Sequence, residues 1–236
     1  MILQYRPLIA LIKKEILENS RSGRVNAPLT ALLVVLLVGV NARDTAVMFP
    51  PEQVPKVYGS LALYIPLITM PFYASAVLNN AIQSERTRGS IVPLLNFGGN
   101  PVNVWMGKLL ATFILSYGVM LIGLIAYVGY IGLYEKQAIL IDGPGFFNML
   151  VTMPLVALLL IAVQAFIYWT FKSSTLLAVL IPITIMFGGA ELLSRVEVKT
   201  PPFFWALVGV VLSICLVGIL AVFVSRVPKS KVAGLL

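Results

Sequence analysis

The chain has 236 residues, 59% of them hydrophobic and 11% charged, with a net charge of +8, one cysteine and no histidine. Soluble domains carry about 25% charged residues, so this composition excludes an ordinary soluble globule and predicts an all-α integral membrane protein. The lack of histidine removes imidazole acid–base chemistry and imidazole metal ligation. Cys215, inside an apolar run, makes no internal disulfide and reads as a small core residue.

Residues 1–24 carry Arg6, Lys13, Lys14, Glu15, Glu18, Arg21 and Arg24, which leaves no uncharged core for a secretory signal. Tyr5, Leu8, Ile9, Ile12 and Ile16 recur at helical spacing, with Arg6, Lys13, Lys14 and Glu18 mostly off that stripe. This pattern predicts an amphipathic helix lying in the membrane interface. Six long uncharged windows follow, at 25–42, 57–84, 109–134, 143–171, 173–190 and 200–225. A spanning helix needs about 20 apolar residues. The windows therefore predict six transmembrane helices, near 25–42, 57–84, 105–134, 146–171, 173–193 and 202–225, in one domain covering 1–236. With the N-terminus inside, inner segments hold twelve Lys and Arg residues and outer segments five, which places both termini in the cytoplasm of a cell-membrane protein.

Pro66 and Pro71 predict a kinked second span. Asn79, Asn80 and Gln83 at its inner end, and Gln164 in the fourth span, are candidates to line a translocation path; the alternative is that they face water or bond a neighbouring helix. Gly118, Gly123, Gly129 and Gly132 in the third span allow close helix approach, and the later tyrosines suit an aromatic belt. Asp142-Gly143-Pro144-Gly145 reads as a turn, and Lys172-Ser173-Ser174 as a tight hairpin. Glu191, near Arg195, reads as a solvated or paired surface acid.

The stretch from Glu85 to Lys108 is the most unusual. It opens E-R-T-R-G, continues with the apolar run Ile91 to Leu95, turns at Gly98-Gly99-Asn100-Pro101, and places Trp105 ahead of Gly107-Lys108. A plain loop needs no such apolar content, so the stretch predicts a short surface helix offered to a soluble partner. No phosphate-cradling G-x-x-x-x-G-K-[ST] loop is present, since Leu109 follows Gly107-Lys108; nor is there a G-x-S-x-G elbow or a Cys/His cluster. The chain therefore reads as neither an enzyme nor a metal protein.

This stretch, with Glu85-Arg86, Gly89, Leu94-Leu95, Pro101, Trp105 and Gly107-Lys108, resembles the segment between the second and third spans of ABC-2 type permease subunits. The amphipathic N-terminal helix and six-span layout are also similar to that family. The resemblance implies a short cytoplasmic coupling helix within 85–104. It implies two permease copies forming a path, each docking a separate ATPase subunit that binds ATP and Mg; the chain itself would bind no cofactor. On that resemblance Ile91, Leu94, Leu95 and Phe97 fill a groove on the ATPase, while Glu85, Arg86 and Arg88 orient the segment, with Gly89, Pro101 and Trp105 completing it. The near-uncharged interior suits a lipid-like, amphipathic, drug or peptide cargo. Two other readings stay open: a haem-export permease of cytochrome maturation, and a non-transporting membrane scaffold or assembly factor.

Overall fold

The computed structural model describes residues 5–22, 26–97, 100–171 and 203–232. Every regular element among them is helical. Helix α1 spans Tyr5–Ser22, α2 Asn26–Ala46, α3 Val54–Ala62 and α4 Ile65–Leu78. Helix α4 runs on through a π-helical stretch, Asn79–Ser84, into the single turn α5, Glu85–Thr87. Then come α6, Ile91–Phe97, and the long α7, Pro101–Tyr130, which ends in π turns at Ile131–Glu135. Helices α8, Gly143–Phe147, and α9, Met153–Thr170, flank a further π stretch; α10, Phe203–Arg226, and α11, Lys229–Val232, complete the order.

Among the described residues, four continuous runs are long and apolar enough to cross a membrane: Val54–Thr87, Pro101–Glu135, Gly143–Thr170 and Leu207–Arg226. They coincide with four of the uncharged windows and are compatible with a membrane location. The window at 25–42 lies in helix α2. The window at 173–190, the Lys172-Ser173-Ser174 hairpin, Glu191 with Arg195, and the Gly98-Gly99 turn lie outside the described residues.

Prolines fix the element starts. Pro66 opens α4, and the break before it, at Leu63 and Tyr64, is closed by short bonds from Leu63 N to Ser60 O (3.2 Å) and Tyr64 N to Leu61 O (3.1 Å). Pro71 lies inside α4. Pro101 stands in the first turn of α7 behind Asn100, whose side chain accepts from Val102 N at 3.0 Å. The Asp142-Gly143-Pro144-Gly145 stretch, expected as a turn, opens a helix instead: Asp142 Oδ1 accepts from Gly145 N at 2.8 Å and caps α8.

Helix α7 is the central element, packed against α1, α2, α4 and α9. Its fully buried side chains include Trp105, Lys108, Leu109, Met120 and Tyr127. Tyr127 was expected in an aromatic belt; it is buried and donates to Tyr58 O at 3.1 Å. Helices α4 and α9 are joined by a two-rung ladder: Gln164 donates to Pro71 O at 3.2 Å, and Tyr168 to Ser75 O at 3.4 Å. The i, i+4 spacing on both helices puts donors and acceptors on facing stripes. Cys215 is corrected by the fold: it is exposed on α10, a helix that turns Val211, Leu212, Ile219 and other apolar side chains outward.

Close approach falls on glycines other than those expected. Gly118, Gly129 and Gly132 face open space, and of the four expected only Gly123 meets neighbours, Thr69 and Ile65. The tight contacts are at Gly59, where a methyl group would overlap the Leu140 backbone carbonyl, and at Gly107, where it would meet the Leu11 side chain. The Leu140 strand of chain is itself bonded to Pro55 O, 3.0 Å from Leu140 N, and cannot step aside cheaply. Gly59→Ala should therefore cost about 1–3 kcal/mol by overpacking. Gly107→Ala should cost less, because the end of Leu11 can rotate. Thermal unfolding of the two variants in detergent checks the order; a harmless Gly59→Ala would refute it.

Candidate functional site

The charged residues that enter the interior gather at the Glu85 end of the bundle. Lys108, 0% exposed, sits on α7 one turn beyond Trp105. Its Nζ lies 2.6 Å from Glu15 Oε1 of α1 and 2.8 Å from Glu85 Oε2 of α5. The contact to Glu15 is a directed hydrogen bond, whereas the contact to Glu85 is an ion pair without hydrogen-bond alignment. Glu15 Oε2 accepts from Asn19 Nδ2 at 3.3 Å, so both oxygens of this buried carboxylate are met. Glu85 Oε1 accepts from Lys14 Nζ at 3.4 Å, and Lys14 also pairs with Glu18 at 3.6 Å. Glu15, Glu85, Lys14 and Lys108 together carry no net charge, as burial demands.

Helix α1 reaches this cluster through a polar line. Leu11, Glu15 and Asn19 follow at i, i+4 spacing on its inward face, with Leu11 against Gly107. Of the apolar stripe at the N-terminus, Ile9 is 62% exposed, while Leu8, Ile12 and Ile16 are half-buried beside that line.

Arg86, beside Glu85 in sequence, points to the other side. Its Nε donates to Val232 O at 2.8 Å, one terminal nitrogen to Phe171 O at 2.9 Å and the other to Trp169 O at 2.7 Å. Trp169 and Phe171 close α9, where the last carbonyls lack helical partners and a cation is favoured. Gln83 adds a bond to Phe171 O at 3.3 Å. Two adjacent side chains thus tie α5 to α1 and α7 on one side, and to α9 and α11 on the other.

Past this junction, Gly89 takes a left-handed φ of 71°, a conformation that glycine adopts without strain, and the chain reverses into α6. Ile91 and Leu95, expected to fill a partner's groove, are buried within the chain, as is Trp105; Leu94 is half-buried. The side chain of Phe97 lies outside the described ones. Among the described side chains from 85 to 95, Thr87, Arg88, Ser90 and Pro93 are exposed. Pro101 is half-buried. Of the four polar path candidates, Asn79 is half-buried and Asn80 exposed, in the π stretch beside Gln83. Gln164 is not among them: it bonds at Pro71, twelve residues and about 18 Å along the helix axis from Gln83.

No family model, curated protein or solved structure matches this chain.

Among the described residues no group of three or more Cys, Asp or Glu is placed to hold a metal ion. The chemistry of the cluster is that of a neutral, shared charge network, in which one lysine serves two carboxylates from different elements. Sequence reasoning reached Glu85 and Arg86 but missed Lys14, Glu15, Asn19 and Lys108. The available signal was the Glu15–Asn19 pair one turn apart on the Leu11 face, opposite the outward Ile9.

Proposed function

We propose that this chain is the membrane-spanning permease subunit of an ATP-driven exporter of the ABC-2 type. Two copies form the path, and each docks a separate ATPase on the 85–104 segment. The observation that carries this reading is the junction at Glu85 and Arg86, which joins the segment to α1, α7, α9 and α11. A push on α5 and α6 from a soluble partner would reach the whole bundle through those two side chains. The sequence pattern of 85–108 and the inner excess of Lys and Arg support six spans with both termini in the cytoplasm. The apolar interior suits an amphipathic or lipid-like cargo. Hydrolysis, with ATP and Mg, belongs to the partner.

The partner's contact is assigned to the outward side of the segment: Arg88, Ser90, Pro93 and the open edge of Leu94. A detergent pull-down from native membranes should bring a stoichiometric ATPase. Arg88→Glu with Pro93→Asp should lower its recovery about tenfold or more while the chain accumulates normally, since central contacts carry most binding energy. Leu95→Asp should instead destroy accumulation, because it buries a charge without a partner. Absence of any ATPase, or its full retention by the double variant, would refute the reading.

A further inference from the structure

Helix α1 packs along α7 and touches the 79–84 stretch, and at this end it is seated by the Leu11–Gly107 contact and the charge cluster. The cluster has a particular wiring. Lys108 is shared between Glu15 of α1 and Glu85 of α5, and Glu85 also holds Lys14 of α1. Glu85 therefore completes α1's seat from a separate element. Directly before it stands Asn79–Ser84, wound as π-helix. A π turn holds a surplus residue relative to α-helix, and such turns occur often at sites that move. Rewinding it to α-helix would swing Glu85 by about 100° around the axis, one α-helical step. That swing would take its carboxylate away from Lys108 and Lys14. The hydroxyls of Ser84 and Thr87 donate to the Asn80 and Gln83 carbonyls, the back-bonding that bends helices and makes such a stretch pliable.

We infer that α1 is a strap latched by the Glu15–Lys108–Glu85 triad, and that the helical register of 79–85 sets whether the latch is closed. The charged groups facing one another are Lys14, Glu15 and Glu18 from α1, Glu85 from α5 and Lys108 from α7. With Glu85 in place, Lys108 is met by two carboxylates and Lys14 by Glu85 and Glu18. With Glu85 swung out, α1 loses the shared lysine and the Lys14 contact as ties to α5, and of the buried ion pairs only Glu15–Lys108 holds it.

Docking can be read directly. The Leu11 Cβ lies 3.5 Å from where a Cβ at Gly107 would stand, within disulfide reach. Leu11→Cys with Gly107→Cys, on a Cys215→Ser background, should form a disulfide readily in membranes under mild oxidant, with no partner protein added. Glu85→Gln and Lys108→Met should each slow it on the order of tenfold or more. Lys108→Met with Glu15→Gln, which leaves the neutral Lys14–Glu85 pair, should return it to within about threefold of the parent, and should accumulate even if Lys108→Met alone does not. Deleting Asn80 removes the surplus residue and keeps Glu85 in register, so crosslinking should match or exceed the parent. Parental rates in Glu85→Gln and Lys108→Met, or a double variant no better than Lys108→Met, would overturn the latch. Release of α1 by the Asn80 deletion would overturn the role of the register. None of these outcomes depends on the exporter reading, because no ATPase or transport is measured.

Discussion

Arg86→Ala should abolish accumulation of the folded protein. Arg86 is 7% exposed, and its guanidinium donates to three carbonyls, those of Trp169, Phe171 and Val232. None of the described acids lies within ion-pair distance of it, so its charge is met by these dipoles and by the C-terminal end of α9. Alanine would take this donor from the Trp169 and Val232 carbonyls and leave Phe171 O with Gln83 alone, each lost bond worth about 1–3 kcal/mol when buried. Total stabilities run to about 5–15 kcal/mol, so the loss is a large share of the whole. Arg86→Lys should recover only part of it, because an ammonium cannot reproduce a planar fork that serves three acceptors at once. Yield of monodisperse protein in mild detergent, followed by thermal unfolding, measures both. An Arg86→Ala protein within about 1 kcal/mol of the parent would show that the three carbonyls find water instead.

The apolar runs were legible in the sequence because a long helix free of charge shows in local composition alone. The uncharged windows at 57–84, 109–134, 143–171 and 200–225 fall on the four long helices. Proline and asparagine also worked as punctuation, at Pro66 and at Asn100-Pro101. The junction was half legible: Glu85-Arg86 stood out as an acid–base pair at a span end, but nothing local says that the two residues face opposite ways. Lys108 was not legible. A lysine at a span end is ordinarily a solvated anchor, and its burial requires carboxylates that arrive from 93 and 23 residues away in sequence. The same limit applies to α1. Its apolar stripe was visible, yet the inward face is the polar Leu11–Glu15–Asn19 line, selected by a lysine on another helix. It also applies to Ile91 and Leu95, whose exposure depends on where Gly89 turns α6.

Lys108→Met should cost about 3–5 kcal/mol, the usual loss when one member of a buried ion pair is removed. Glu15→Gln should cost less, near 1–3 kcal/mol, although Glu15 is as deeply buried. Without Glu15, Lys108 keeps Glu85 at 2.8 Å and the buried pair remains neutral. Without Lys108, two carboxylates face one another with only the half-exposed Lys14 beside them. The difference has a pH signature. Burial pushes the Glu15 carboxyl above its ordinary value of 4.5, and Lys108 only partly offsets that push. The folded chain therefore holds this proton more tightly than the unfolded chain. The stability it contributes is full below 4.5 and is lost as pH rises through the folded value. Removing Lys108 removes the opposing pull and raises Glu15 further, which widens that window. The deficit of Lys108→Met should thus shrink as pH is lowered from neutral toward the ordinary carboxylate range, while that of Glu15→Gln, which lacks the titrating group, should show no such recovery. Denaturation midpoints of both variants and the parent at a series of pH values test this, and a Lys108→Met deficit that grew on acidification would contradict the burial-dominated account of Glu15.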